Sequence, residues 1–413
     1  MQVLQVVPPI VRDVGNGLEM DVDFFDSLKI YLEHFESFAV ACPVFSADLQ
    51  GSGLERCIPF KDLPWGPERF KFIPLPAAYR PAEFVRALPR VREQLRAEVD
   101  AADYLIFTPY TLIGDWPTVA IREARKLGRP YTIEADGVHG DIMRKRHISG
   151  VAWKRWIKKR LVFPAFEASH RQCLAHSSLA VFQGQDVYNA YSEHCSNPVK
   201  LNHHVPVYAG DHITGVRLAA KLDRIRRGEV IRIRYAGRAI DMKGPFDWVD
   251  TLHELARQGV KFEASWLGDG PMLEAMRERA TTLGIPGVSF AGFISDRETV
   301  LESLREADIF LFCHNTLESA RILGEALACG APLVGFETAY PVDLVAEHGG
   351  GEFSEMGDSK ALAEKVRRLD GDRARLAELV TCAALSGRDL DRDAALNRRV
   401  QLVKEQRFSG RRS

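Results

Sequence analysis

In the segment YAGRAIDMKG, Tyr235–Gly244, two cations and two glycines fall close together. The pattern ends a strand at Ala236 and starts a helix near Pro245. Gly237 therefore stands where backbone can approach a ligand, and the helix N-terminus offers free N–H groups to an anion. Arg238 and Lys243 belong to the same strand end, and together they suit the charge of a diphosphate. The segment is not a Walker A loop, because Lys243 is followed by Gly244 rather than Ser or Thr. The plain alternative is a surface turn with two solvated charges.

A second cluster lies in LESARILGEALACGAPLVG, Leu317–Gly335. Glu318 falls in a loop and Glu325 near the start of the helix that follows, which Gly330 stops. Two carboxylates at one strand end suit vicinal sugar hydroxyls, which need acceptors. Helix-dipole stabilisation or simple solvation is the competing account. The third cluster is WLGDGP, Trp266–Pro271, followed by VSFAGFIS, Val288–Ser295. Gly268 and the pair Phe293 and Ile294 follow strands in loops where a nucleotide base can lie against backbone.

The first half carries weaker signals. His139 follows a strand in EADGVHGD, flanked by Asp136 and Asp141. It is either an active-site group or a loop histidine at the surface. In RDVGNG, Gly15 and Gly17 let the first loop approach phosphate or acceptor, or form a plain turn around Asn16. The segment Arg144–Arg160 holds eight Lys and Arg and no acid. Trp153, Trp156, Ile157 and Leu161 share a helical face there, with Lys154, Arg155, Lys158 and Lys159 toward the other. Such a segment suits anionic lipid headgroups. Tryptophans packed on the sheet beneath solvated cations would suit it equally.

The elements that position these groups alternate. Gln2–Val7, Phe38–Cys42, Tyr104–Thr108, Tyr131–Ala135 and Leu179–Gln183 read as strands separated by helix-period stretches. A second series opens at Val230–Ala236 and continues through Phe262–Leu267, Val288–Phe290, Ile309–Phe312 and Pro332–Gly335. Strands alternating with helices predict parallel sheets covered on both faces. Between the series, Ala209–Glu229 reads as a partly helical linker. In such sheets ligands sit at the carboxyl ends of the strands, where all of these groups lie.

The chain has 413 residues, enough for two domains, each with its own core. Lys plus Arg number 55 against 56 Asp plus Glu, a balance that disfavours a nucleic-acid partner. No apolar run is long enough to cross a bilayer, and the N-terminus reads as a strand rather than a signal peptide. Seven cysteines without a CxxC pair fit a reducing cytosol and neither a disulfide framework nor a zinc site.

Taken in order, YAGR…KG, LGDGP, FAGFIS and the E…EALACGAPLVG block resemble the retaining GT-B glycosyltransferases of glycosyltransferase family 4, from about Ile231 to Asp370. That resemblance implies an α/β fold of two Rossmann-like domains with parallel sheets facing a central cleft. Residues 1–208 would form the acceptor-side domain, 209–229 the linker and 230–385 the nucleotide-sugar domain. Residues 386–413 would hold a helix crossing back to the first domain.

It further implies transfer of a sugar with retention, from a UDP- or GDP-type donor to a glycan or lipid-linked acceptor. No metal would be required, and no DxD-like pair stands in a plausible loop. Arg238 and Lys243 match the donor-diphosphate pair, Glu325 the ribose glutamate and Glu318 the glutamate that addresses the donor sugar. Ser319 and Ala320 replace the usual glycines after it. Six residues separate the two glutamates where the family usually has seven. A histidine after the fourth strand is a common active-site element, a place that His139 or Asp136 would take.

The expected setting is polysaccharide biosynthesis at the inner face of the cytoplasmic membrane, with peripheral contact through the basic segment. The competing functions are a nucleotide-sugar epimerase of the same architecture and a non-catalytic sugar-nucleotide-binding protein.

Overall fold

The computed structural model describes residues 1–46, 57–141, 156, 158–202 and 205–406. The first domain is built on β1 (Gln2–Val6), β2 (Val11–Asp13), β3 (Leu18–Asp21), β4 (Ser37–Ser46), β5 (Cys57–Pro59), β6 (Phe70–Leu75), β7 (Tyr104–Phe107), β8 (Thr132–Ala135), β9 (Leu179–Phe182) and β10 (Pro198–Lys200). Seven of these form a wholly parallel sheet in the order β6-β4-β1-β7-β8-β9-β10. The far end of β4 also pairs with β2, which extends into an antiparallel leaf with β3 and β5. The runs YLIF and LAVF are apolar because a parallel strand is covered on both faces.

The second domain holds β11 (Ile231–Ala236), β12 (Phe262–Leu267), β13 (Val288–Gly292), β14 (Ile309–Phe312), β15 (Leu333–Phe336) and β16 (Gly351–Ser354). All pair in parallel in the order β13-β12-β11-β14-β15-β16. Strand order reverses between β11 and β14, so the loops after these two strands flank one crevice. The first sheet reverses in the same way between β1 and β7. Two Rossmann-like domains with parallel sheets are thus present, as the resemblance implied.

The segment expected as a linker is more integrated than its composition suggests. Thr214 caps a helix, Gly215–Arg226, by accepting from the Arg217 amide. Ile225 of that helix enters the second-domain core, as do Val205 and Val207 before it. Lys221 is buried and donates to the carbonyls of Ala307, Cys329 and Gly330 at 2.8, 3.2 and 2.9 Å. A chain of polar residues folds here because three carbonyls left open by neighbouring turns take up one ammonium.

The chain returns at Arg392, whose amide donates to Val207 O at 3.0 Å, so the outward and return crossings run side by side. The helix Arg392–Glu405 then places Leu396, Val400 and Val403 in the first-domain core. Its Arg399 pairs with buried Glu134 of β8 at 3.4 Å, and Gln5 donates to the same carboxylate at 3.0 Å. Trp156 and Leu161 are exposed, so neither packs on the sheet. Lys154 and Arg155 lie outside the described residues. Lys158 and Lys159 stand in a π-helical turn, Lys158–Val162, of which the backbone is described.

Candidate active site

The crevice of the second domain opens into a cleft of about 720 Å³. Gly237, Arg238, Lys243, Gly268, Phe293, Ile294 and Glu325 line it, together with Arg297 and Arg321. Asp21 and Asp23 line it from the first domain. The residues that the sequence marked at three separate strand ends thus meet around one space.

Backbone geometry at the first loop depends on Gly244. Its φ of +59° is left-handed, and a Cβ there would lie 1.9 Å from Cys313 O in the loop after β14. Absence of a side chain lets the two crevice loops touch, and Asn315 N accordingly donates to Met242 O at 3.1 Å. Arg238 is exposed to the cleft, and its guanidinium makes no hydrogen bond or ion pair among the described residues. The helix Arg321–Ala328 begins at Ala320 with no side-chain cap. Ala320, Arg321 and Ile322 border the cleft, so unpaired N–H groups face the same space as Arg238.

The remaining charges are paired. Lys243 donates to Glu318 Oε1 at 2.8 Å, and both side chains are largely buried. His314 Nδ1 lies 3.5 Å from the same oxygen. Glu325 sits inside its helix and accepts from Arg297 at 2.9 Å. Arg297 also bonds Asp211 at 2.9 and 2.8 Å and the Pro206 carbonyl at 2.6 Å. Burial pushes the Glu325 carboxyl above its ordinary value, against the pull of Arg297. Burial works against charge on Arg297 too, but Asp211 and Glu325 outweigh it and hold the guanidinium above its ordinary range. Sequence reading missed Arg297. The available signal was an arginine one residue past the helix cap Asp296, directly after the loop marked by Phe293 and Ile294.

First-domain loops meet these groups at the strand ends. Gly137 pairs with Glu318 in an isolated antiparallel bridge, and Leu317 N donates to Asp141 at 3.2 Å. Ser319 Oγ donates to Gln183 O, and Arg321 pairs with Asp23. The loop that carries His139 is therefore in register with the loop that carries Glu318. His139 Nε2 stands 3.2 Å from Asp136 Oδ1, and its ring meets Tyr110 edge-on at 5.3 Å. His139 and Asp136 are coupled to each other rather than alternatives in space, and neither is among the cleft-lining residues. Gly17 is not brought to the cleft. It closes the exposed turn between β2 and β3, where its carbonyl accepts from Val14 N at 3.0 Å. The leaf formed by β2 and β3 carries that turn away, and Asp21 and Asp23, just beyond, reach the cleft instead.

Residues 224–382 match the family described as Glycosyl transferases group 1. The matched stretch carries the crevice loops of the second domain.

A GDP-mannose-dependent alpha-(1-6)-phosphatidylinositol dimannoside mannosyltransferase of Mycobacterium tuberculosis is 35% identical over 123 residues, which are 29% of this chain and 30% of that protein. The lipopolysaccharide core biosynthesis glycosyltransferase LpsE of Rhizobium meliloti is 28% identical over 164 residues, 38% of this chain and 45% of that protein. The chain thus spans less than half the length of these curated relatives.

Among solved structures, HepE of Anabaena in complex with UDP superposes with a TM-score of 0.66 at 14% identity, covering 98% of this chain and all of that one. WaaG, a glycosyltransferase involved in lipopolysaccharide biosynthesis, does so with 0.63 at 13% identity, covering 98% and 99%. These likenesses establish the fold across both domains.

Proposed function

We propose that the protein is a retaining glycosyltransferase. It moves a sugar from a nucleoside-diphosphate sugar, of UDP or GDP type, to a hydroxyl of a glycan or lipid-linked acceptor in cell-surface polysaccharide biosynthesis. The observation that carries the reading is the unpartnered guanidinium of Arg238 in a cleft that it shares with Lys243, an uncapped helix N-terminus and the largely buried Glu325. An unpaired guanidinium beside free helix N–H groups in a partly enclosed space suits an anion with two charged phosphates. The GDP-mannose named for the mannosyltransferase and the UDP bound to HepE support the co-substrate class.

In this reading Arg238 and Lys243 stabilise charge on the leaving diphosphate, the main electrostatic task, and no metal is required for it. Gly237 and Gly268 admit the donor close to backbone. Phe293 and Ile294 flank the base, and Glu325 accepts from the ribose. Glu318 and Ser319 face the donor sugar, with His139 and Asp136 opposite on the acceptor side. Residues 1–208 serve the acceptor and 230–385 the donor, joined through 209–229 and the returning segment 386–413. Lys154, Arg155, Lys158 and Lys159 contact an anionic membrane at its cytoplasmic face.

Calorimetry with UDP and GDP tests the donor site, and NMR of the product's anomeric centre tests retention. Binding of a nucleoside diphosphate and a product with the donor's anomeric configuration are expected. Absence of binding would overturn the donor reading, and an inverted product would overturn retention alone. Release of a free epimerised sugar nucleotide would point to the epimerase alternative.

A further inference from the structure

Tyr235, near the end of β11, and His314, just past β14, stand on the two strands that flank the crevice. Both are buried. Tyr235 Oη and His314 Nε2 are 2.9 Å apart. On the other side of the ring, His314 Nδ1 is 3.5 Å from Glu318 Oε1, the oxygen that also takes Lys243 at 2.8 Å. Glu318 Oε2 has no side-chain partner among the described residues. One cation is thus asked to serve two anions, the carboxylate and the diphosphate of a bound donor. A lysine ammonium on its flexible stem can turn from one to the other. His314 then becomes the side chain that still faces Oε1.

We propose that Tyr235 and His314 are positioning residues for Glu318. Tyr235 donates its hydroxyl proton to His314 Nε2, which sets the ring in the Nδ1–H tautomer. Nδ1–H then holds Oε1 while Oε2 stays open to the donor sugar. The inference rests on the sugar-side reading of Glu318.

The chemistry of the pair supports it. Burial pushes the Tyr235 phenol well above its ordinary value, so its proton is available to donate. Burial and the charge of Lys243 push His314 well below its own, so the ring is neutral, with one N–H and one lone pair. The opposite tautomer would aim a lone pair at a carboxylate. Gly237 leaves the space that the relay uses, since a Cβ there would lie 2.8 Å from Tyr235 Oη. The second ring nitrogen setting the tautomer of the first is a general property of histidine.

Two measurements test the proposal. In protein labelled with 15N-histidine, the His314 ring, assigned by its loss in His314→Asn, is expected as the Nδ1–H tautomer. An Nε2–H ring would overturn the inference without reference to activity. In donor hydrolysis with UDP-glucose and GDP-mannose, Tyr235→Phe is expected to lower kcat about tenfold while KM and UDP or GDP affinity stay within about twofold. His314→Leu should fall further, and His314→Asn, which keeps an N–H donor, should recover part of the loss.

Equal kcat in Tyr235→Phe and the parent, with Glu318→Gln inactive, would overturn the positioning role and leave the reading of Glu318 standing. Full turnover in Glu318→Gln would remove both. Should His314→Leu fail to fold, Tyr235→Phe and the ring tautomer still decide.

Discussion

The two walls of the cleft are built to different standards. On the second-domain wall, loops touch through Gly244, a free guanidinium faces a helix N-terminus, and each buried carboxylate has a named cation. The first-domain wall offers Asp21 and Asp23, the latter held by Arg321 of the other domain, while exposed Asp136 and its partner His139 stand outside the lining. One wall is organised before any ligand arrives, and the other presents loops. A site that receives one anionic donor gains from fixed charges and backbone. A site that receives a varied acceptor tolerates loops on a rigid sheet.

The comparison breaks most visibly at glycines. Gly244→Ala places a Cβ against Cys313 O at a left-handed φ, and should cost about 3 kcal/mol or more of stability as the crevice loops separate. Gly17→Ala, whose Cβ meets open space in the β2–β3 turn, should cost about 1 kcal/mol or less. Urea unfolding of both variants measures the contrast, and equal losses would contradict it.

A smaller effect separates the walls by function. Arg238→Ala should weaken UDP or GDP binding by about 1.5–3 kcal/mol, the worth of a charge-assisted contact. His139→Ala should leave nucleotide affinity unchanged and reduce turnover by about a hundredfold. Calorimetry paired with kinetics reads the split. Loss of nucleotide affinity in His139→Ala would move the donor site onto the first domain.

A last effect, gradual across each window, is on the pH dependence of stability. Burial lowers His170 of the first domain to about 3, so below pH 6.5 the unfolded chain binds a proton that the folded one does not. Stability contributed by this histidine is complete above pH 6.5 and declines as pH falls toward 3. Burial lowers Lys221 of the second domain to about 7 from 10.5, so its penalty is full below pH 7 and is relieved as pH rises to 10.5. Each contributes a slope of about 1.4 kcal/mol per pH unit in its own window. His170→Phe should flatten the acid arm alone, and Lys221→Met the alkaline arm alone, in melts followed across pH.

Much of the second domain was readable before folding. Its parallel strands are continuous apolar runs because both faces are covered, and its glycines recur where loops must come close. Arg238, Lys243, Glu325 and Gly268 therefore announced ligand loops at separate strand ends. Arg297 did not, because an arginine beside an aspartate cap looks like any solvated helix start. It acquires meaning only when Asp211 and Glu325 arrive from distant segments. Gly17 misled for the opposite reason. A glycine after the first strand is a sound cue for a ligand loop, but β2 and β3 pair into a leaf and use it as a hairpin turn. The stretch 209–229 read as a linker by composition, and three carbonyls around Lys221 made it part of a domain.

Sequence by itself determined the element types, the twin alternating halves and the chemistry placed at the strand ends, since these follow from local periodicity and from residues a few positions apart. Tertiary structure alone decided which of those ends meet. It paired Lys243 with Glu318 across 75 residues, set Arg297 on Glu325 and brought Gly137 against Glu318 from the other domain. Such contacts depend on strand order and on how two sheets face each other, and no local propensity encodes either.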